Sequence, residues 1–285
     1  MFFLKILILA AIQGAAELLP VSSSAHVIVA EKLMGLDPSS PEMTMLLVML
    51  HTGTMFAVIA YFWKSWQRHV FSSGPATKGF LVQVFIATIC TGVVGLGLKI
   101  VIEKVFMHGA AKAEIEDLFR NTLLIGGALA IVGLLIIYAG LRSEKSQGKG
   151  EIDTRKSCWI GIVQGLCLPF RGFSRSGSTI SAGLLLGLPK EKLEEFSFAL
   201  AVVLTPPIIA LEGHRLYKAN KEGAHLSLGH LLTPSLVGMV VSFAAGLVAL
   251  KLLSRWLEGG QWKFFGFYCL VAAAVVLTLH FTLGI

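Results

Sequence analysis

Apolar residues come in long runs cut by short polar interruptions, and the lengths of the runs predict the elements. Six runs, roughly 44–63, 81–102, 121–141, 196–213, 235–253 and 264–283, are long enough to cross a bilayer. About 20 apolar residues in a helix cover about 30 Å of hydrocarbon. Two further runs are interrupted: residues 2–36 by "ELLPVSSSAH" and residues 158–188 by "PFRGFSRSGST". Each half of these runs holds about 10–15 residues, too few to span. Pro20 and Pro169 stop the first half of each, and serines at the break can cap the second. A helical hairpin that enters the membrane and returns fits both. Irregular backbone at that depth survives only when it is buried in protein or lines a cavity.

The predicted order is hairpin, three spans, polar linker, hairpin, three spans. Residues 1–285 read as one integral-membrane domain, with repeat halves 1–141 and 158–285 joined by a Gly- and charge-rich linker at 142–157. A re-entrant hairpin does not cross and three is odd, so the second half starts on the opposite face. The expected fold is therefore an all-α polytopic membrane protein: six transmembrane helices and two re-entrant helical hairpins in an inverted-topology repeat. Matched interrupted segments in two halves point to a membrane-embedded site. The repeat shows in hydropathy; residue-by-residue similarity between the halves is weak.

Composition agrees with this class. Of 285 residues, 55% are hydrophobic and 14% charged, against about 25% charged in soluble domains. Mean hydropathy is +0.76. The five tryptophans (Trp63, Trp66, Trp159, Trp256, Trp262) fall at or near run ends, as interfacial anchors do. Cys90, Cys158, Cys167 and Cys269 lie in apolar stretches without metal-ligand spacing, so packing is their expected role. "MFFLKILILAAIQGAA" has the charge and apolar run of a signal peptide, but more membrane sequence follows it and no convincing cleavage site precedes the polar cluster.

The net charge of +7 carries no basic run with interleaved aromatics, so no nucleic-acid partner is expected. Lys and Arg sit between the apolar runs, where topology and anionic headgroups account for them. About 13 lie on the face holding loops 64–80, 142–157, 189–195 and 251–263, against about 9 opposite. The positive-inside rule makes the richer face cytoplasmic and places both termini outside.

The interruptions carry the chemistry. Gln13 and Glu17 are four apart and share a helix face. Ser23 and His26, three apart, do the same at the start of the returning half, with Pro20 and Ser22 in the turn. Ionisable groups inside a membrane are costly and point to function. In "GFSRSGST" (172–179), Arg175 stands between Ser174 and Ser176, followed by Gly177, Ser178 and Thr179. A helix starting there offers free N–H groups and a positive dipole end to an anion, and Arg adds a fork that fits phosphate oxygens. Blander roles exist for each residue singly: Glu17 can simply pair with Arg175, and Ser/Thr clusters join helices. The combination in matched breaks favours an oxyanion pocket. His51, beside Gly53 and Thr54, fits either the cavity lining or ordinary packing; His108 and His280 read as bland. No GxxxxGK[ST] occurs, so a nucleotide P-loop is unsupported. The serine motifs loosely resemble type-2 phosphatidic-acid phosphatases, but no histidine follows in "SRSGSTISAGLLLG" and the chain has no Arg-Pro pair.

Taken together, "QGAAELLPVSSSAH" and "RGFSRSGST" resemble the undecaprenyl-diphosphate phosphatases of the bacitracin-resistance type. That family carries an acid-or-Gln-xxx-Glu followed by PVSS and a histidine, then PGxSRSxxT. The matching positions are Gln13, Glu17, Ser22, Ser23 and His26, then Gly172, Ser174, Arg175, Ser176 and Thr179; "EFSFALAV" (195–202) also looks like family sequence. Gln13 stands where many relatives have a second Glu, and Arg171 where they have Pro.

The resemblance implies hydrolysis of a C55 isoprenyl diphosphate to the monophosphate and phosphate in a bacterial plasma membrane, recycling the carrier for cell-wall synthesis. The pocket would open to the extracytoplasmic side. It also implies a divalent cation, Mg²⁺ or Ca²⁺, bridging the diphosphate and Glu17. Glu17, Ser23, His26 and Arg175 are the expected catalytic residues. Gln13, Ser22, Ser174, Ser176, Gly177 and Thr179 are the expected phosphate binders. Ser23, His26 and water all remain open as nucleophile, and oligomeric state is not legible. The competing reading is a transporter or flippase of isoprenyl phosphate that uses the same pocket.

Overall fold

The computed structural model describes residues 2–37, 40–106, 121–144, 148–219 and 228–283. His108, part of the linker and residues 220–227 lie outside the described residues. All regular structure among the described residues is helical. The first interrupted run forms α1 (Phe2–Leu18) and α2 (Ser23–Leu33), and the second α6 (Thr154–Cys167) and α7 (Arg175–Leu185). Between and after them run α3 (Pro41–His69), α4 (Gly74–Val101), α5 (Thr122–Ser143), α8 (Lys190–Ala219), α9 (Leu228–Glu258) and α10 (Trp262–Leu283). A single π-helical turn, Ile102–Phe106, continues α4.

Those six long helices are each apolar and long enough to cross a membrane, so the chain is a multi-pass membrane protein. Several outrun their apolar cores because polar caps lie beyond the hydrocarbon. Ser40 caps α3, with Pro41 in the first turn, and Ser73 caps α4 above Pro75. Asn121 accepts from Leu123 and Leu124 to open α5, and Asp153 accepts from Lys156 to open α6.

Small residues bring the helices into backbone contact, as membrane packing requires. α1 lies on α9 through Gly14, where an added methyl would sit 2.5 Å from the Ser242 carbonyl oxygen. α6 lies on α4 through Gly161, whose methyl would overlap the Ala87 carbonyl, and α3 lies on α9 through Gly53 against Met239. Gly133 and Gly266 do the same for α5 and α10. The apolar core threads through these contacts from Leu18 and Phe62 to Ile136, Phe196 and Trp262.

The tryptophans divide. Trp63 and Trp159 are about half-exposed, as anchors should be. Trp66 and Trp262 are buried in the bundle instead, and Trp262 Nε1 donates to Ser181 Oγ at 3.1 Å. Their position at run ends reflects closure of the bundle end, not contact with headgroups. The cysteines are free thiols; Cys90 and Cys158 meet across α4 and α6 with sulfurs 3.2 Å apart.

Candidate active site

Each hairpin breaks where its proline forbids the helix to continue. α1 ends at Leu18, two residues before Pro20, and α6 at Cys167, two before Pro169. The chain then turns on unusual backbone. Ser22, at φ 66°, is the one non-glycine residue with positive φ among the described residues. Its side chain is buried and lies 3.2 Å from Ser24 Oγ. In the second turn Gly172 takes φ 98°, and a methyl there would overlap the Ile125 carbonyl. Only glycine satisfies both demands.

The two turns meet. Arg175 Nη2 donates to Glu17 Oε1 at 3.0 Å. Ser176 Oγ donates to the Leu19 carbonyl at 3.3 Å, and the Gly172 amide donates to Ser24 Oγ at 3.4 Å. Between them lies a cleft of about 100 Å³ lined by Glu17, Ser22, Ser23, Ser174, Arg175 and Ser176, among others. The residues singled out in the two motifs therefore form one place, although 158 positions separate Glu17 from Arg175.

Glu17 is the hub. Its Oε2 accepts from Ser23 Oγ at 2.5 Å and from Gln13 Nε2 at 3.3 Å. His51 Nε2 stands 3.9 Å from the same oxygen. Arg175 is used on one side only: Nη1 is buried and has no hydrogen-bond partner among the described residues. An unpaired buried donor of this kind is costly. Here it adjoins the start of α7, where Ser174 caps the helix by accepting from the Gly177 amide at 3.2 Å.

Other motif residues sit around the cleft instead of in its wall. Gln13 is buried behind Glu17. Gly177 and Thr179 lie one layer back. Gly177 has Ile136 where a side chain would go, and Thr179 Oγ1 contacts Ser197 Oγ at 2.7 Å. That bond ties the "EFSFALAV" stretch to the second motif. His26 turns away from Ser23. Its Nδ1 is 2.8 Å from the Ser22 carbonyl, which only an N–H can satisfy, and its Nε2 is 2.8 Å from Tyr268 Oη. The two rings also stack with centroids 5.7 Å apart.

Two participants were not fixed by the sequence motifs. Tyr268 comes from α10, 242 positions from His26, and nothing in the linear pattern marks it. His51 was legible as a membrane histidine, and the structure puts it beside Glu17, with Nδ1 donating to the Leu47 carbonyl at 2.7 Å. His280 contacts Thr122 at 2.7 Å, away from the cleft.

The fit for a divalent cation is narrow. No group of three or more His, Cys, Asp or Glu among the described residues could hold a metal ion. Glu17 is the single carboxylate in the cleft, and a guanidinium and an imidazole already flank it. Such a donor set suits a cation held jointly by one carboxylate and phosphate oxygens, not a protein-only cage.

Known proteins resemble this chain over nearly its whole length. An Acinetobacter baylyi protein named undecaprenyl-diphosphatase 2 is 57% identical over 282 residues, covering 98% of both chains. Undecaprenyl-diphosphatases of Pelotomaculum thermopropionicum and Methanosphaera stadtmanae are 31% and 29% identical, over 96% and 98% of this chain and 95% and 99% of theirs. The family described as bacitracin resistance protein BacA matches residues 6–275, and this chain belongs to that family.

Proposed function

We infer that this protein is a membrane phosphatase that hydrolyses undecaprenyl diphosphate to the monophosphate and inorganic phosphate, returning the lipid carrier to cell-wall synthesis. The relatives' names supply the substrate. The unpartnered Nη1 of Arg175, beside a helix start and a ring of serine hydroxyls, supplies the physical reason. It is a donor waiting for an anion. The lipid tail stays in the bilayer while the diphosphate enters the cleft.

Phosphoryl transfer needs positioning and neutralisation of charge more than covalent help. Arg175 meets the terminal phosphate with Nη1 while Nη2 stays on Glu17, and Ser22, Ser174 and Ser176 add hydroxyls. Gly177 and Thr179 shape the α7 turn that carries these groups, and Gln13 steadies Glu17. Ser23 is the nucleophile: its hydroxyl already donates to Glu17, which takes the proton as Oγ bonds to the terminal phosphorus. The bond from that phosphorus to the bridging oxygen breaks, and the isoprenyl monophosphate leaves. Glu17 gives that proton to the departing monophosphate, then takes one from a water that bonds to the same phosphorus and returns it to Ser23 Oγ as the Oγ–phosphorus bond breaks. Glu17, not His26, serves as base, because His26 directs its free nitrogen to Tyr268. His26 orders the turn through the Ser22 carbonyl. A divalent cation, Mg²⁺ or Ca²⁺, would arrive on the diphosphate and supply charge neutralisation, with Glu17 as its protein ligand.

The hairpins are re-entrant in this reading, and the halves form an inverted repeat. Their helices have 17, 11, 14 and 11 residues, each below the about 20 of a typical span, α1 by the least. Exchanging the halves maps the α1–α9 contact onto α6–α4, and leaves α5–α10 and α3–α8 paired with themselves. The first hairpin then enters from the extracytoplasmic side, and the cleft opens there. The test is phosphate release by purified protein from C55 diphosphate, with Glu17→Ala and Arg175→Ala alongside. Loss in both variants supports the reading. No release by folded parent protein under varied metals would favour a lipid carrier.

A further inference from the structure

A second cavity lies far from the cleft. Between α4 and α8 an open groove of about 760 Å³ runs along the outside of the bundle. Its lining includes Thr77, Lys78, Leu81, Phe85 and Thr88 of α4 and Val203 of α8. The three apolar residues are about half-exposed. At a rise of 1.5 Å per residue, Lys78 to Thr88 covers about 15 Å, which is half of the about 30 Å hydrocarbon core and so one leaflet's acyl chain.

The Lys78 end of the groove carries basic and aromatic residues. Residues 60–89 contain Lys64, Arg68, His69 and Lys78 and no Asp or Glu; from α8, Glu195 pairs with His69 at 3.1 Å, which leaves Lys64, Arg68 and Lys78 as the basic groups at this end. Lys78 is exposed, and no ion pair joins it among the described residues. Trp63 and Phe71, both about half-exposed, place their rings 6.4 Å apart at the same turn, as at a headgroup boundary. The occupant is not the substrate of the hairpin site. The tip of the second hairpin meets α4 at Gly95, where Leu168 packs. Lys78 is 17 residues earlier, about 25 Å away along the helix. A diphosphate at Arg175 cannot also sit at Lys78.

We propose that this groove is a binding site for one anionic phospholipid, its phosphate read by Lys78 and one acyl chain laid between α4 and α8. The lipid fills a seam that protein fills elsewhere: in the counterpart pairing of the halves, α3 and α9 close directly through Gly53 and Met239. Basic pockets between transmembrane helices are suited to such headgroups.

The test is native mass spectrometry of the delipidated full-length protein with phosphatidylglycerol and phosphatidylcholine of identical acyl chains. One bound phosphatidylglycerol is expected in about fivefold preference, the contribution of one lysine near an anionic headgroup. Lys78→Gln should bring the ratio to about one and Lys78→Arg should keep it; the position is exposed, so both variants fold. Val203→Trp should obstruct the groove beside α8 and lose the bound lipid of either kind, with a thermal melt confirming its fold; if it does not fold, the Lys78 variants decide. Equal binding of the two lipids by the parent, preference surviving Lys78→Gln, or undiminished lipid on folded Val203→Trp would overturn the proposal.

Discussion

Ser23 Oγ lies 2.5 Å from Glu17 Oε2, across the turn of a single hairpin. The carboxylate that receives this proton is held from the other side by Arg175 of the second hairpin, at 3.0 Å. The proposed nucleophile, base and anion receptor are thus coupled through one carboxylate.

Glu17→Gln keeps the shape and removes the base. Turnover should fall by about 10²–10⁴, the usual worth of a positioned general base, read by steady-state phosphate release. Rapid acid quench with labelled substrate should find phosphate on Ser23. Label on His26, with Ser23→Ala still active, would contradict the assignment.

Tyr268→Phe keeps the ring stack on His26 and removes the hydroxyl. A fall in kcat with KM nearly unchanged is expected, measured by steady-state phosphate release. If Tyr268 acts through His26, the double variant Tyr268→Phe/His26→Ala should be no worse than His26→Ala alone. Additive losses would show that the two residues act separately.

Gln13→Glu places a second carboxylate one helical turn from Glu17. Repulsion between the two should be relieved by a bound cation, so activity should become more sensitive to chelator than in the parent. A chelator titration of both proteins measures this, and identical curves would argue against Glu17 as the cation's ligand.

Ser22→Gly should stabilise the protein by about 1 kcal/mol, because glycine adopts positive φ without the steric cost that serine bears. Gly161→Ala should do the opposite by about 1–3 kcal/mol, since its methyl would overlap the Ala87 carbonyl. Thermal melts in one detergent check both signs.

Much of the site is legible in the sequence. Gln13 and Glu17 share a face by helical spacing alone, and Ser174 before Arg175 reads as a cap followed by a charged first turn. Contacts made through space were not legible. Tyr268 is one aromatic among many on a lipid-facing helix, and only folding brings it to His26. His51 was equally consistent with packing until α3 was seen against Glu17. The long helices were found, but hydropathy reports the hydrocarbon portion only. α3 begins at Pro41 and ends at His69 because polar caps and an interfacial turn carry it past the apolar run. The burial of Trp66 and Trp262 shows the same limit, since position at a run's end does not say which way a ring faces.

The most direct test of the central claim is phosphate release from C55 diphosphate by the detergent-purified chain, its Glu17→Ala and Arg175→Ala variants, and the double variant. One shared site predicts release by the parent, a loss of about 10²–10³ in each single variant, and a double variant no worse than the poorer single. Full activity in Arg175→Ala, with Glu17→Ala inactive, would place the chemistry in the first hairpin alone and contradict the account.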